Sequence, residues 1–361
     1  MNPVSLVQNE ATILFNSTFV RPAQFYIGGF SDVPHDKYYY VFLSFVYILT
    51  VIGNVALLSV IYLAKTLHTP KYMIVFNLGL ADLCGSTALI PKLLDTFLLN
   101  RRYIAYEACI SYMFFVLFFT SLQSWTLVIM AYDRLIAICF PLNYHNVVTV
   151  TNIAAMLLFM WVFVLSLLAS TVSLINRLSF CRSVVIESFY CDHGPIFHLA
   201  CNDWSLNRLM AYVGFITILC IPPILIVLTY VCIVIALSRI ASGKERLKAL
   251  KTCTSHLALV IIFFLPLMGT NIAAVASYLH PNARIINATL THTIPALLNP
   301  IVYSLKTEEV FSTFKKFCTK IRQSNTGVKK NKCKQIQFGH KLNYKRSLIN
   351  STVLIFQMPT T

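Results

Sequence analysis

The stretch MAYDRLIAIC, residues 130–139, closes a long apolar run with an adjacent acid and base, Asp133 and Arg134. An ion pair inside hydrocarbon costs free energy, so a charged pair at the end of such a run indicates where the chain leaves a membrane. From Cys109 to Arg134 a helix extends about 37 Å, which is enough to cross a bilayer. The pair is then either an anchor at the membrane surface or a group that contacts a cytoplasmic partner.

Composition places the chain among membrane proteins. Of its 361 residues 57% are hydrophobic and only 12% are charged, so a soluble domain would lack an adequate surface for water. The net charge of +16 does not indicate a nucleic-acid partner, because the basic residues gather between apolar runs and beyond residue 305. The sequence shows no histidine pair at metal-binding spacing, no nucleophile elbow and no phosphate loop, so nothing in it points to an enzyme. Duplicated halves and ionisable residues in several spans, which are typical of transporters, are not evident either.

Seven apolar spans are long enough to cross the hydrocarbon of a bilayer. They predict an all-α membrane protein, a seven-transmembrane-helix bundle with a short amphipathic helix after the seventh span. Proline residues at 222–223, 266 and 300 predict kinks within three of the spans. The predicted spans are 38–64, 72–99, 109–139, 152–175, 206–238, 248–279 and 285–305.

The basic residues predict the orientation, with an extracellular N terminus and a cytoplasmic C terminus in the plasma membrane. The sequon at Asn16 fits a glycosylated leader. After the seventh span, basic and apolar residues at helical spacing predict a helix that lies on inner-leaflet lipid. Cys318, at its end, is either palmitoylated or a free thiol. The predicted parts are an extracellular N terminus (1–37), the seven-helix domain (38–305), the amphipathic helix (306–320) and a basic cytoplasmic tail (321–361).

Four of the eleven cysteines are predicted on the outer side: Cys109, Cys181, Cys191 and Cys201. An even number in an oxidising compartment permits two disulfides, and one from Cys109 would tie the third span to the loop between spans four and five. The alternative is a metal site that also uses the nearby Asp192, His193 and His198.

Five motifs occur in order at the ends of the spans: LHTPKYMIVFNLGLADL (67–83), MAYDRLIAICFPLNYH (130–145), LTYVCIVIAL (228–237), KALKTCTSHLALV (248–260) and PALLNPIVYSLK (295–306). Together they resemble the rhodopsin-like G protein-coupled receptors and, within them, the odorant (olfactory) receptors, over about residues 25–320. Leu135, Gln123 and Phe264 depart from the usual olfactory pattern. The departures, with a proline at 266, resemble fish-type receptors.

The resemblance implies a receptor that binds a small-molecule odorant in the outer half of the bundle and activates a stimulatory heterotrimeric G protein, which raises cAMP in the sense of smell. It implies the disulfides Cys109–Cys191 and Cys181–Cys201. The alternative is a rhodopsin-like receptor for a lipid, nucleotide or peptide. The residues implied in G protein coupling are Asp133, Arg134, Tyr230, Asn299, Pro300 and Tyr303.

Helical steps back from Arg134 place Val116 and Thr120 on one face of the third span. The sixth span offers one face above Pro266, and the resemblance supplies residues of the fifth and seventh spans at similar depth. Val116 stands where amine-binding relatives carry an aspartate, which disfavours a biogenic amine. The predicted ligand-binding set, mostly apolar as suits a small odorant, is Val116, Leu117, Thr120, Ser121, Gly214, Phe215, Ile218, Phe264, Leu267, Met268, Asn271, Thr289, His292 and Thr293.

A second polar set lies within the apolar spans: Asp82, Gln123 and Asn299, with Asn54 nearby by resemblance. In related receptors such residues often hold a sodium ion, which is the one cofactor that the resemblance suggests. The neutral Gln123 removes one anionic ligand from that site. The alternative is a hydrogen-bonded packing network without a cation.

Overall fold

Seven long helices make up most of the chain, as predicted from the seven apolar spans. The structure is a computed structural model, and it describes residues 20–29, 36–239, 243–276, 281–306 and 310. Asn16, Cys318, most of the predicted amphipathic helix and the basic tail lie outside these residues. The helices are α1 (Asp36–Leu63), α2 (Pro70–Phe97), α3 (Tyr106–Cys139), α4 (Val150–Ile175), α5 (Ser205–Ser238), α6 (Gly243–Ala276) and α7 (Pro281–Lys306).

Several helices begin before the predicted spans. α6 begins at Gly243 instead of 248 and α7 at Pro281 instead of 285. The apolar pattern marks only the part of a helix that matches hydrocarbon, whereas the backbone hydrogen bonds continue into polar flanking residues.

The helices α1 to α6 contain stretches that are long and apolar enough to cross a membrane. α7 is more polar, and it packs against α1, α2 and α6, which bury Thr289, Thr293 and Asn299. Large apolar side chains such as Phe45 and Phe159 remain exposed on the outside of the bundle. An outer surface of this kind suits lipid and not water, which is typical of a multi-pass membrane protein.

α3 is the central helix and packs against α2, α4, α5 and α6. A buried network fixes its middle: Asn77 of α2 donates to Thr126 Oγ1 at 2.8 Å, and Trp161 Nε1 of α4 donates to Asn77 Oδ1 at 2.8 Å. Each of these polar groups therefore has a partner inside the apolar bundle.

One end of the bundle carries a small sheet that the sequence did not predict. Its strands are β1 (Gln24–Ile27), β2 (Tyr103–Ala105) and β3 (Val185–Ile186), with β1 in the centre, antiparallel to β2 and parallel to β3. Phe25 and Ile27 of β1 are fully buried. The sheet thus attaches the segment before α1 to the loops after α2 and α4.

Both disulfides lie at this same end. Cys109, near the start of α3, is joined to Cys191, with the Cα atoms 5.5 Å apart, and Cys181 is joined to Cys201 at 5.8 Å. We call this end the disulfide face. Arg134, near the other end of α3, marks the opposite end, which we call the Arg134 face.

α5 contains a π-helical turn at Ile216–Cys220, directly before Pro222 and Pro223. Neither proline has an N–H group, so the carbonyl of Ile218 loses the backbone donors that lie four and five residues further on. Ser124 of α3 replaces them, because its hydroxyl donates to Ile218 O at 2.8 Å. The turn is therefore fixed by a side chain of the neighbouring helix.

Candidate functional site

Two of the predicted ligand-binding residues, Thr120 of α3 and His292 of α7, lie in contact with each other. Thr120 Oγ1 lies 3.4 Å from His292 Nδ1. The ring of Tyr190, next to the disulfide cysteine Cys191, lies 6.2 Å from the ring of His292, centroid to centroid. The loop between α4 and α5 thus covers the two residues from the disulfide face.

The other members of the set differ in burial. Phe215 and Met268 remain 45% and 39% exposed, so the structure does not bring them into the packed interior with the rest. A side chain at Gly214 would meet no atom within 4 Å. Leu117, Ile218 and Asn271 are half-buried. The buried members are Val116, Ser121, Phe264, Leu267, Thr289 and Thr293.

Polar side chains in this set turn toward their own helices. Ser121 Oγ donates to Leu117 O at 2.6 Å, and Asn271 Nδ2 donates to Leu267 O at 2.8 Å. None of the predicted residues is an acid, a lysine or an arginine. The set therefore suits an uncharged ligand, since a buried ion without a partner would be costly.

The loop that covers the set contains a short helix, His193–Phe197, and its N-cap is Asp192, whose Oδ1 accepts from His193 N at 2.8 Å. Burial raises the pKa of Asp192, although its hydrogen bond from Tyr190 acts in the opposite direction. Burial lowers the pKa of His193 to about 4. Within the described ranges, no group of three or more His, Cys, Asp or Glu side chains is placed to hold a metal ion, and the loop cysteines are joined in disulfides.

At the Arg134 face, Arg134 Nη2 lies 3.2 Å from Asp133 Oδ2, and Tyr144 donates to Asp133 Oδ1 at 2.8 Å. Asp133 is buried, and the Arg134 side chain is only 15% exposed. Burial and the Asp133 carboxylate raise the pKa of the Tyr144 hydroxyl. Tyr144 belongs to the short helix Tyr144–Val147. The sequence prediction included this tyrosine in a motif without assigning it a role.

A second residue that sequence reasoning missed, His256, joins three helices. The Tyr230 hydroxyl of α5 lies 2.9 Å from His256 Nδ1 of α6, and His256 Nε2 lies 3.1 Å from Leu127 O of α3. The Tyr230 and His256 rings stack with centroids 5.9 Å apart. His256 is 3% exposed. The hydrogen-bond partners of the predicted coupling residue Tyr230 are thus His256 and the carbonyl of Cys253, both in α6.

The predicted residues of α7 pack against α1 and α3. The Tyr303 hydroxyl lies 3.1 Å from Met130 Sδ. The side chain of Pro300 packs on Gly53 of α1, where a Cβ atom would lie 3.1 Å from Pro300 Cγ. α7 is therefore closely packed at this depth.

The predicted sodium residues form a closed network. Gln123 Nε2 donates to Asp82 Oδ1 and Asn299 Nδ2 donates to Asp82 Oδ2, both at 2.8 Å, and Asp82 is fully buried. Asn54 donates to Thr50 O and to the backbone of α7 at Ala296 O. The amide groups of Gln123 and Asn299 thus occupy both oxygens of Asp82, which accords with the hydrogen-bonded network, and the sodium site stays a prediction.

A family profile described as "Olfactory receptor" matches residues 43–320 of the chain. The chain belongs to the olfactory receptor family. Over 314 residues the receptor is 37% identical to Olfactory receptor 5B12 of Homo sapiens, a match that covers 83% of this chain and 96% of that relative. Over 313 residues it is 34% identical to Olfactory receptor 1 of Rattus norvegicus, covering 84% and 97%.

The fold is also that of a solved structure, the crystal structure of squid rhodopsin. The two share a TM-score of 0.65 and 18% identity, with 81% of this chain and 88% of that chain covered. The resemblance seen in the motifs is therefore confirmed, and the chain is an odorant-type G protein-coupled receptor and not an enzyme. The fish-type subgroup stays a prediction.

Proposed function

We infer that the receptor binds a small-molecule odorant between α3, α6 and α7 below the disulfide face. Binding there activates a stimulatory heterotrimeric G protein at the Arg134 face and raises cAMP in the perception of smell. The observation that supports this most is that α3 carries both Thr120, in contact with His292, and Arg134, in contact with Asp133. A helix places these two positions about 21 Å apart, so one rigid element links the two sites.

Activation is a population shift between two arrangements of the helices, and an odorant drives it by binding one arrangement better than the other. α6 is the helix that moves. It carries Phe264 and Leu267 toward the odorant and His256 toward α3 and α5. When α6 moves, the contacts of His256 break and a groove opens for a helix of the Gα subunit. Arg134 then exchanges Asp133 for that partner.

The receptor sits in the plasma membrane with the disulfide face outside. Disulfides persist in oxidising compartments. Lys65, between α1 and α2, and Lys71, in the first turn of α2, accord with a cytoplasmic Arg134 face. An N-glycan at Asn16 and an amphipathic helix at 306–320 on inner-leaflet lipid complete the arrangement. An antibody to an N-terminal epitope should therefore bind intact cells, whereas one to a C-terminal epitope should require permeabilisation.

The test is a cAMP assay in cells that express the receptor with an olfactory-type stimulatory Gα subunit, screened with odorant mixtures, amino acids, bile acids and amines. We expect uncharged odorants to raise cAMP. Arg134→Ala should abolish the response at equal surface levels. Arg101→Ala is the matched control, because this arginine is 72% exposed at the far end of α2 and should tolerate the change. A full response of Arg134→Ala would restore the membrane-anchor interpretation.

A further inference from the structure

The contact between Thr120 and His292 determines which nitrogen of His292 carries the proton. Thr120 Oγ1 has a single hydrogen, and it donates this hydrogen to Val116 O at 2.8 Å. At its 3.4 Å contact with His292 Nδ1 the hydroxyl oxygen must therefore accept. An accepting hydroxyl requires Nδ1–H on the imidazole.

The other ring nitrogen is then a hydrogen-bond acceptor. A neutral imidazole carries one N–H, so Nδ1–H leaves Nε2 with a lone pair. No carboxylate among the described residues contacts this ring, so nothing favours the doubly protonated cation. Nε2 has no hydrogen-bond partner within the described part of the chain, and it is not among the fully enclosed buried polar atoms. It therefore remains accessible to a ligand between α3 and α7.

The neighbouring hydroxyl groups are also left as hydrogen-bond acceptors. Ser121 donates its hydrogen to Leu117 O, and Thr293 donates to Leu290 O at 3.4 Å. Each hydroxyl thereby has its proton engaged by a backbone carbonyl and offers only lone pairs. Asn271, with one of its two N–H groups on Leu267 O, retains the other for a ligand. The hydroxyl groups beside Thr120 and His292 in the sequence are thus acceptors as well.

We propose that the receptor recognises odorants through a hydroxyl group, an alcohol or a phenol, that donates its proton to His292 Nε2, while Thr120 fixes the imidazole tautomer. This inference rests on the proposed function and names the ligand class of the same site. An ether or ketone of the same shape offers no proton and leaves Nε2 without a partner. A buried acceptor without a partner is costly, which gives the site its selectivity.

The test compares odorants matched in shape: octanol with methyl heptyl ether, cyclohexanol with cyclohexanone, and borneol with camphor. In wild-type receptor the hydroxyl compound of an active pair should be more potent in the cAMP assay by about tenfold or more. Thr120→Val removes the acceptor that holds Nδ1–H at nearly constant volume, so the ratio should fall toward one. Thr120→Ser keeps the hydroxyl and should keep the preference. Equal or greater potency of the ether or ketone in wild type would overturn the proposal, as would an equal loss for both compounds in Thr120→Val.

The tautomer is also measurable without an agonist. In purified receptor with isotope-labelled histidine, the nitrogen NMR signals that vanish in His292→Phe belong to His292. In wild-type receptor we expect a protonated Nδ1 and an unprotonated Nε2. In Thr120→Val we expect a mixture in which part of the protein carries the proton on Nε2 instead. A protonated Nε2 in wild type would refute the proposal. If no compound raises cAMP at normal surface levels, the proposed function fails, and the NMR signals alone still decide the tautomer.

Discussion

Removal of the Cys109–Cys191 disulfide should destabilise the receptor more than any other cysteine change. The bond closes a segment of 82 residues, and the chain-entropy relation gives a stabilisation of about 4.5 kcal/mol for a loop of that length. For the 20-residue separation of Cys181 and Cys201 the same relation gives about 3.3 kcal/mol. Because helices that stay inserted in the membrane shorten the flexible part of either loop, both figures are upper bounds.

The experiment measures the thermal unfolding midpoint of detergent-solubilised receptor, together with surface level by flow cytometry. The unfolding midpoint should fall by the same amount in Cys109→Ala, in Cys191→Ala and in the double variant, because removing either sulfur breaks the same bond. Cys181→Ala should lose less. Cys84→Ala is the matched control, since Cys84 is a half-buried free thiol on α2.

Two results would refute this reasoning. If the double variant lost the sum of the two single losses, the cysteines would act separately and not as a bond. If Cys181→Ala lost as much as Cys109→Ala, the length of the closed segment would not determine the stabilisation, and local packing in the loop would.

The remaining predictions concern three histidines. His256→Ala should raise cAMP without agonist, because it removes two contacts that stabilise the inactive arrangement of the helices. At about 1 kcal/mol for each contact, the equilibrium between the two arrangements should shift by roughly 30-fold. Unchanged basal cAMP at equal surface level would contradict this. His193 has a folded pKa of about 4, below the unfolded value of 6.5, so its contribution to stability is present above pH 6.5 and is lost as the pH falls from 6.5 toward 4. Unfolding midpoints of wild type should fall across that window more than those of His193→Asn, and parallel curves would exclude His193 as the cause. His145→Ala, in the short helix at the Arg134 face, should leave basal cAMP unchanged.

The helices were predictable because each of them has to present a long apolar surface to lipid. A single continuous stretch of sequence is enough to show such a surface. Even the more polar α7 was identified from its apolar stretch. The sheet was not predictable, since β1, β2 and β3 have four, three and two residues and pair across large sequence separations. Strands this short have no clear alternation of side chains.

The contact between Thr120 and His292 was predictable as a neighbourhood of two residues but not in its chemistry. Helical spacing placed Thr120 on the inner face of α3, and the resemblance placed His292 at a similar depth. The direction of the hydrogen bond between them depends on the proton that Thr120 gives to Val116 O, which is a contact of the folded helix and not of the residue pattern. His256 stood unassigned within a quoted motif, because its role depends on contacts with two other helices.

The π-helical turn at Ile216–Cys220 makes α5 a helix of two separable halves. The π-helical turn contains one more residue than an α-helical turn. Deletion of that residue would rotate the half of α5 before the turn by about 100° relative to the half after it. Gly214 and Phe215 lie on the half before the turn and Tyr230 on the half after it. The turn thus determines the direction that Gly214 and Phe215 take around the axis of α5, independently of the half that contacts His256. Ser124, whose hydroxyl donates to Ile218 O, is the position on α3 that fixes the angle between the two halves.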